Sequence, residues 1–216
     1  MKAVIFDLDG VIVSTDEYHY QAWLRLAEEE GIPFDRDVNE KLRGVSRMES
    51  LDIILGGASR TYSMEDRAAL AERKNRYYRE LLEQLSPSHI LPGVPAWLYA
   101  LKSQGILSAI GSSSKNAKAI LYKIGLLNAF DAIADGNDIV NSKPDPEVFL
   151  LAARRMGIPP SACLVVEDAD AGIEAAAAAQ MKSLAVGSAA RHPKADLSAP
   201  DLASLDAKTV IHQLLF

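Results

Sequence analysis

The chain opens on an apolar run, Ala3-Val4-Ile5-Phe6, that stops at Asp7. A short run of this kind, rich in β-formers, reads as a strand buried on both faces. Beyond Ile12 the pattern changes. Ser14-Thr15-Asp16-Glu17 reads as a helix start, with a hydroxyl or Asp cap and acids in the first turn. Ala22, Leu24, Leu26 and Ala27 carry that helix to about Gly31-Ile32-Pro33. From there to about Ser86 the pattern is helical and polar, with no strand. The clearest helices span 48–55 and 64–85, and the second is rich in Arg, Glu, Leu and Lys, all good helix formers.

Leu91-Pro92-Gly93-Val94-Pro95 is a turn-forming break. Past it, helices predicted over 97–104, 115–124, 146–156 and 171–180 alternate with strands over 106–110, 130–134, 163–166 and 183–186. Alternation of this kind predicts an α/β fold, a doubly wound, Rossmann-like parallel sheet with helices on both faces. The first strand belongs to that sheet. The expected organisation is therefore a catalytic core of residues 1–14 and 87–216, interrupted by a helical insertion over 15–86. The alanine run from Ala175 to Ala179 suits a helix packed closely on the sheet.

Composition narrows the function classes. Hydrophobic residues make up 49% and charged residues 24% of the 216, ordinary for a globular chain. A formal net charge of −6 speaks against nonspecific nucleic-acid binding. The single cysteine, Cys163, excludes an internal disulfide framework and reads as a buried, inert thiol. No apolar run is long enough to span a bilayer, and the first residues read as strand rather than signal peptide. The expectation is a soluble, cytoplasmic protein with no membrane partner.

Chemistry appears where strands end. The first ends in Asp7-Leu8-Asp9, the next in Ser112-Ser113-Ser114, and a later one in Glu167-Asp168, while a loop carries Ser142-Lys143-Pro144. In a parallel sheet these ends converge on one edge, where ligands bind. Carboxylates repel a phosphate dianion unless a divalent metal intervenes, and Mg²⁺ prefers hard oxygen ligands. Asp7, Glu167 and Asp168 supply such ligands; Lys143 and the Ser112 hydroxyl suit phosphoryl oxygens. Asp7 then reads as a nucleophile and Asp9 as a movable general acid/base. Each piece has a plainer reading. Asp-x-Asp also marks turns, Glu167-Asp168 also caps a helix, the serines also make a polar loop, and Lys143 also suits a solvated loop. Their occurrence at successive strand ends favours catalysis.

These motifs resemble the haloacid dehalogenase-like phosphotransferases, whose four signatures match Asp7-Leu8-Asp9-Gly10, Ser112, Lys143-Pro144 and Glu167-Asp168 in order. The insertion resembles that family's small cap domain. Over nearly the whole chain the resemblance extends to the β-phosphoglucomutase group, through Glu17-Tyr18-His19, Ala22-Trp23, Arg43-Gly44-Val45-Ser46-Arg47, Glu49-Ser50-Leu51, Arg73-Lys74-Asn75 and Ser112-Ser113-Ser114-Lys115-Asn116. It implies interconversion of β-D-glucose 1-phosphate and glucose 6-phosphate through β-D-glucose 1,6-bisphosphate. It implies Mg²⁺ held by Asp7, the Asp9 backbone carbonyl and Asp168, with Glu167 beside it. Arg47 would hold the distal phosphate, within a loop that includes Gly44, Val45 and Ser50. Ser113, Ser114, Lys115 and Asn116 would bind substrate from the core side. Three cap residues carry two readings each: Lys74 as a crevice or solvated residue, Trp23 as a sugar-site or packing residue, His19 as a hinge or surface residue. Thr15 falls at an expected hinge. The implied partners are small sugar phosphates, acting on a monomer. The alternatives are a sugar-phosphate phosphatase on the same scaffold and a noncatalytic sugar-phosphate sensor.

The resemblance has departures. Ile12-Val13-Ser14-Thr15 carries Ser14 where an acid is usual, Arg43 stands for a common lysine, and Ser113 for a smaller residue.

Overall fold

A computed structural model describes residues 1–42 and 45–215. Contacts divide the chain into two compact units, Met1–Ser14 with Ser86–Phe216, and Thr15–Leu85.

The first unit is built on a six-stranded, all-parallel sheet. In chain order its strands are β1 (Ala3–Phe6), β2 (Leu107–Gly111), β3 (Ala132–Ala134), β4 (Cys163–Glu167), β5 (Lys182–Ala185) and β6 (Leu197–Ser198), and in space they run β3-β2-β1-β4-β5-β6. The strand order reverses direction at β1, which pairs with β2 on one side and β4 on the other. Phe6 lies in register with both Ile110 and Val166, so β1, β2 and β4 end at nearly one level. The helices of this unit are α5 (Val94–Ser103), α6 (Ala117–Lys123), α7 (Glu147–Met156), α8 (Asp170–Ala178) and α9 (Ala207–Leu215). Alternate residues of β1 serve opposite faces. Ala3 and Ile5 pack with Val148, Phe149 and Ala152 of α7 and with Ala175 and Ala176 of α8. The small side chains of α8 let its backbone approach the sheet. On the other face Phe6 meets the Trp97 ring of α5 edge-on at 6.4 Å, and Trp97 Nε1 donates to the Leu202 carbonyl.

The second unit contains α1 (Asp16–Glu30), α2 (Arg36–Glu40), α3 (Arg47–Leu55) and α4 (Met64–Leu82). Gly31, at φ +66°, stops α1 in a left-handed cap. Ser46 with Glu49, and Ser63 with Asp66, form capping boxes that start α3 and α4. Its core gathers Trp23, Leu26, Ala27, Leu51, Ile54 and Leu70. Glu30 on α1 accepts from Arg60, Tyr62 and Arg73, which ties the helices at their polar margin.

Several boundaries differ from the sequence expectation. The helix predicted to Leu85 ends at Leu82, because three turn-type bonds close residues 83–85. The helix predicted from Trp97 starts at Val94, where Gly93 at φ +88° turns the chain and Pro95 suits the first turn. Elements that escaped the pattern include α2, five residues polar except for Val38 and capped by Asp35; the two-residue β6; and α9, capped by Asp206.

Candidate active site

The shared ending of β1, β2 and β4 delivers Asp7, Ser112, Glu167 and Asp168 to one edge of the sheet. The connection from β3 to α7 brings Lys143 to the same place, and its peptide with Pro144 is cis. Lys143 Nζ donates to Asp7 Oδ1 at 2.5 Å and to Glu167 Oε2 at 2.7 Å. The lysine is only 2% exposed, so the solvated-loop reading fails. Burial alone would depress its ammonium; the Asp7 and Glu167 carboxylates outweigh burial and hold its pKa above the usual lysine value.

Glu167 is occupied on both oxygens. Oε1 accepts from the Asp168 and Ala169 N–H groups at the head of α8, and Oε2 from Lys143. One carboxylate thus both caps the head of α8 and pairs with Lys143. Burial first, then the Asp7 charge, push its carboxyl above the ordinary value, against the pull of Lys143. Two glycines make room. A Cβ on Gly172 would sit 2.0 Å from Glu167 Cδ, and one on Gly10, at φ +85°, would sit 2.1 Å from Asp168 Oδ2. Neither Gly172 nor Ser188, whose Oγ donates to the Asp168 carbonyl at 2.6 Å, stood out in the sequence. Ser188 lies far along the chain from any recognisable motif. Gly172 lies five residues past Glu167, and only the close approach reveals it.

Carboxylate oxygens of Asp7, Glu167 and Asp168 lie within 4.8 Å of one another, all three buried. Lys143 pairs with two of these acids, Asp7 and Glu167. A cluster of hard carboxylate oxygens suits a divalent cation such as Mg²⁺. Asp9 lies just past Asp7, half-buried in a turn closed by Gly10 N–H donating to the Val13 carbonyl.

The loop after β2 is self-braced. Ser112 Oγ accepts from the Ser114 N–H, and Ser114 Oγ from the Asn116 N–H, both at 3.2 Å. An accepting hydroxyl keeps its own proton for a further acceptor. Ser113 Oγ is buried with no partner among the described residues. Lys115 is exposed and Asn116 half-buried.

The helical unit holds a second polar group. Lys74 Nζ lies 2.8 Å from His19 Nδ1, and the His19 ring lies against the Tyr78 ring at a 34° tilt with centroids 4.0 Å apart. Tyr78 OH in turn bonds Thr15 Oγ1 at 2.7 Å. Lys74 is buried, 4.6 Å above the Trp23 ring, so its solvated reading fails too. Trp23 itself belongs to the unit's apolar core and takes the packing role. Burial, then the Lys74 and Arg47 cations, hold the His19 pKa well below its usual value. Tyr78 was not anticipated, although its place four residues after Lys74 on α4 is a helical neighbour's spacing. Arg47 begins α3 behind its capping box, partly buried, 3.9 Å from Glu72; burial pulls its pKa down. Ser50 is buried on α3 and Val45 half-buried before it. Gly44 and Arg43 lie outside the described residues.

Known proteins bear on this arrangement. The sequence model of the haloacid dehalogenase-like hydrolases matches residues 1–180. The chain belongs to the haloacid dehalogenase-like hydrolase family. Among family members, the β-phosphoglucomutase of Bacillus subtilis is 47% identical over 189 residues, covering 87% of this chain and 84% of that one. A fructose-1-phosphate phosphatase of Escherichia coli is 34% identical, covering 85% and 95%. Among solved structures, the β-phosphoglucomutase of Clostridium difficile superposes with a TM-score of 0.94 at 41% identity, covering 100% of this chain and 97% of that one. No helix among the described residues is long and apolar enough to cross a membrane.

Proposed function

We propose that the chain is a β-phosphoglucomutase, interconverting β-D-glucose 1-phosphate and D-glucose 6-phosphate through β-D-glucose 1,6-bisphosphate. The observation that carries this reading is the 47% identity to the Bacillus subtilis β-phosphoglucomutase over 87% of the chain.

The site supports a chemical course. A carboxylate oxygen of Asp7 attacks phosphorus, and the bond to the leaving oxygen breaks to give an aspartyl phosphate. Asp9 gives its proton to the departing oxygen, and takes one from the incoming hydroxyl in the second half-reaction. Lys143, tied to Asp7, and the Ser112 hydroxyl face the charge that builds on the phosphoryl oxygens. Asp7, Asp168, the Asp9 carbonyl and the neighbouring Glu167 are the groups that would hold Mg²⁺, which supplies charge neutralisation when bound. A bisphosphate needs a second anchor, and Arg47 offers a bidentate guanidinium for it. Ser113, Ser114, Lys115 and Asn116 complete the phosphate-binding groups of the core unit. Residues 15–86 act as the cap, with Thr15 and His19 at its hinge, and the enzyme works as a cytoplasmic monomer.

A phosphatase is the second reading, favoured by the 34% identity to the Escherichia coli fructose-1-phosphate phosphatase. Purified protein with Mg²⁺, β-glucose 1-phosphate and a trace of the bisphosphate separates the two. The mutase yields glucose 6-phosphate; free phosphate without glucose 6-phosphate overturns it.

A further inference from the structure

We propose that the turn after β3, through Gly136 and Asn137, is a positioning element that aims the Lys115 N–H at a substrate phosphate. The inference rests on the sugar-phosphate reading above and adds residues that no motif assigns.

The turn grips the β2 loop by its carbonyls. Gly136 N–H donates to the Ser114 carbonyl at 3.2 Å, and Asn137 Nδ2 donates to the Lys115 carbonyl at 2.9 Å. In a trans peptide the C=O and N–H point in opposite directions. Holding the Ser114 carbonyl against the turn therefore sends the Lys115 N–H the other way. No protein acceptor meets that N–H among the described residues. It is a fixed donor in the loop that already carries the Ser112 and Ser114 hydroxyls.

The fit is tight. A Cβ on Gly136 would lie 2.2 Å from the Ser113 carbonyl oxygen and 3.0 Å from the Lys115 nitrogen. Any side chain there displaces the backbone of the β2 loop. The turn is also held from behind. Asp135, fully buried, accepts from Asn137 N and Nδ2, and Asp138 accepts from the Asp135 N–H. Arg155 on α7 pairs with Asp138 at 2.8 Å and also bonds the Ile133 carbonyl. A chain of polar contacts thus runs from α7 to the Lys115 peptide. Asn137 touches no reacting atom; it holds the next peptide, whose Asn116 N–H goes to Ser114 Oγ, and so fixes the loop on the far side of Lys115 while Gly136 fixes the peptide that carries the Lys115 N–H.

The test compares wild type with Asn137→Ala and Gly136→Ala, with Mg²⁺ and glucose phosphates. One partly exposed hydrogen bond predicts a KM raised about 2- to 10-fold in Asn137→Ala, with kcat within about twofold, the pattern of lost uniform binding. Gly136→Ala, which crowds the loop, is expected to raise KM by at least about tenfold. Should Gly136→Ala fold poorly, Asn137→Ala decides alone. The second readout is the Lys115 amide resonance. It should shift on addition of glucose 6-phosphate or inorganic phosphate, and Asn137→Ala should need more ligand for the same shift. An unmoved Lys115 amide at saturation, or wild-type KM in Asn137→Ala, overturns the proposal while leaving the mutase reading intact. If glucose phosphates are not turned over, that reading fails by itself. The inorganic phosphate titration then still decides: a Lys115 shift weakened in Asn137→Ala upholds the brace, and no shift refutes it.

Discussion

Lys74 Nζ and His19 Nδ1 lie 2.8 Å apart inside the helical unit, an ammonium against an imidazole. The contact requires Nδ1 to be the acceptor, which leaves the ring proton on Nε2. Protonating the ring would set two cations side by side. Burial and the two neighbouring cations depress the folded-state pKa. Below about pH 6.5 the unfolded chain takes up a proton that the folded ring refuses. The stabilising contribution is thus present above that pH and is lost as pH falls toward the depressed folded value. An NMR titration of the imidazole should place its pKa below the usual histidine range, and Lys74→Met should raise it. An unchanged pKa in Lys74→Met would leave burial and Arg47 as its causes.

Asp7→Asn keeps the shape of the nucleophile and removes its charge. Turnover is expected to fall by at least about 10³-fold, with no phosphoenzyme signal by ³¹P NMR. Activity near wild type would move the nucleophile elsewhere.

Lys143 pairs with two buried carboxylates, Asp7 and Glu167. Lys143→Ala leaves Asp7 and Glu167 without it, so the metal-free protein should lose about 3–5 kcal/mol of stability. Urea denaturation in EDTA measures this, and added Mg²⁺ should recover part of the loss.

Mg²⁺ should raise the stability of the wild-type protein by about 2.7 kcal/mol at a free concentration one hundred times its Kd. Asp168→Asn should remove most of that gain without abolishing folding. Thermal unfolding with and without Mg²⁺ reads both, and an equal gain in the two proteins would take Asp168 out of the metal site.

Much of the sheet was legible because its strands are short apolar runs that end in polar residues. The chemistry clusters at those ends, so Asp7, Ser112 and Glu167 were visible as candidates before their register was known. Contacts between distant residues were not visible. Lys143 stands 136 positions from Asp7, and only the fold shows that a loop lysine is buried against it. The same holds for Lys74, which lies in a basic stretch of sequence yet faces Trp23 and His19. Short polar elements such as α2 lack enough periodicity to register, and their caps become meaningful only once the helix is seen.

The chain leaves and re-enters the sheet-bearing unit at one spot. Val13 and Ile90 form an antiparallel bridge, and Leu91 N–H donates to the Ile12 carbonyl at 2.9 Å. Closing the chain across a long excursion adds little entropy cost for each added residue. With both ends of the excursion already fastened together, the helical unit is a replaceable module. Exchanging residues 15–85 for another insert would leave the sheet, the carboxylates and Lys143 with their own supports.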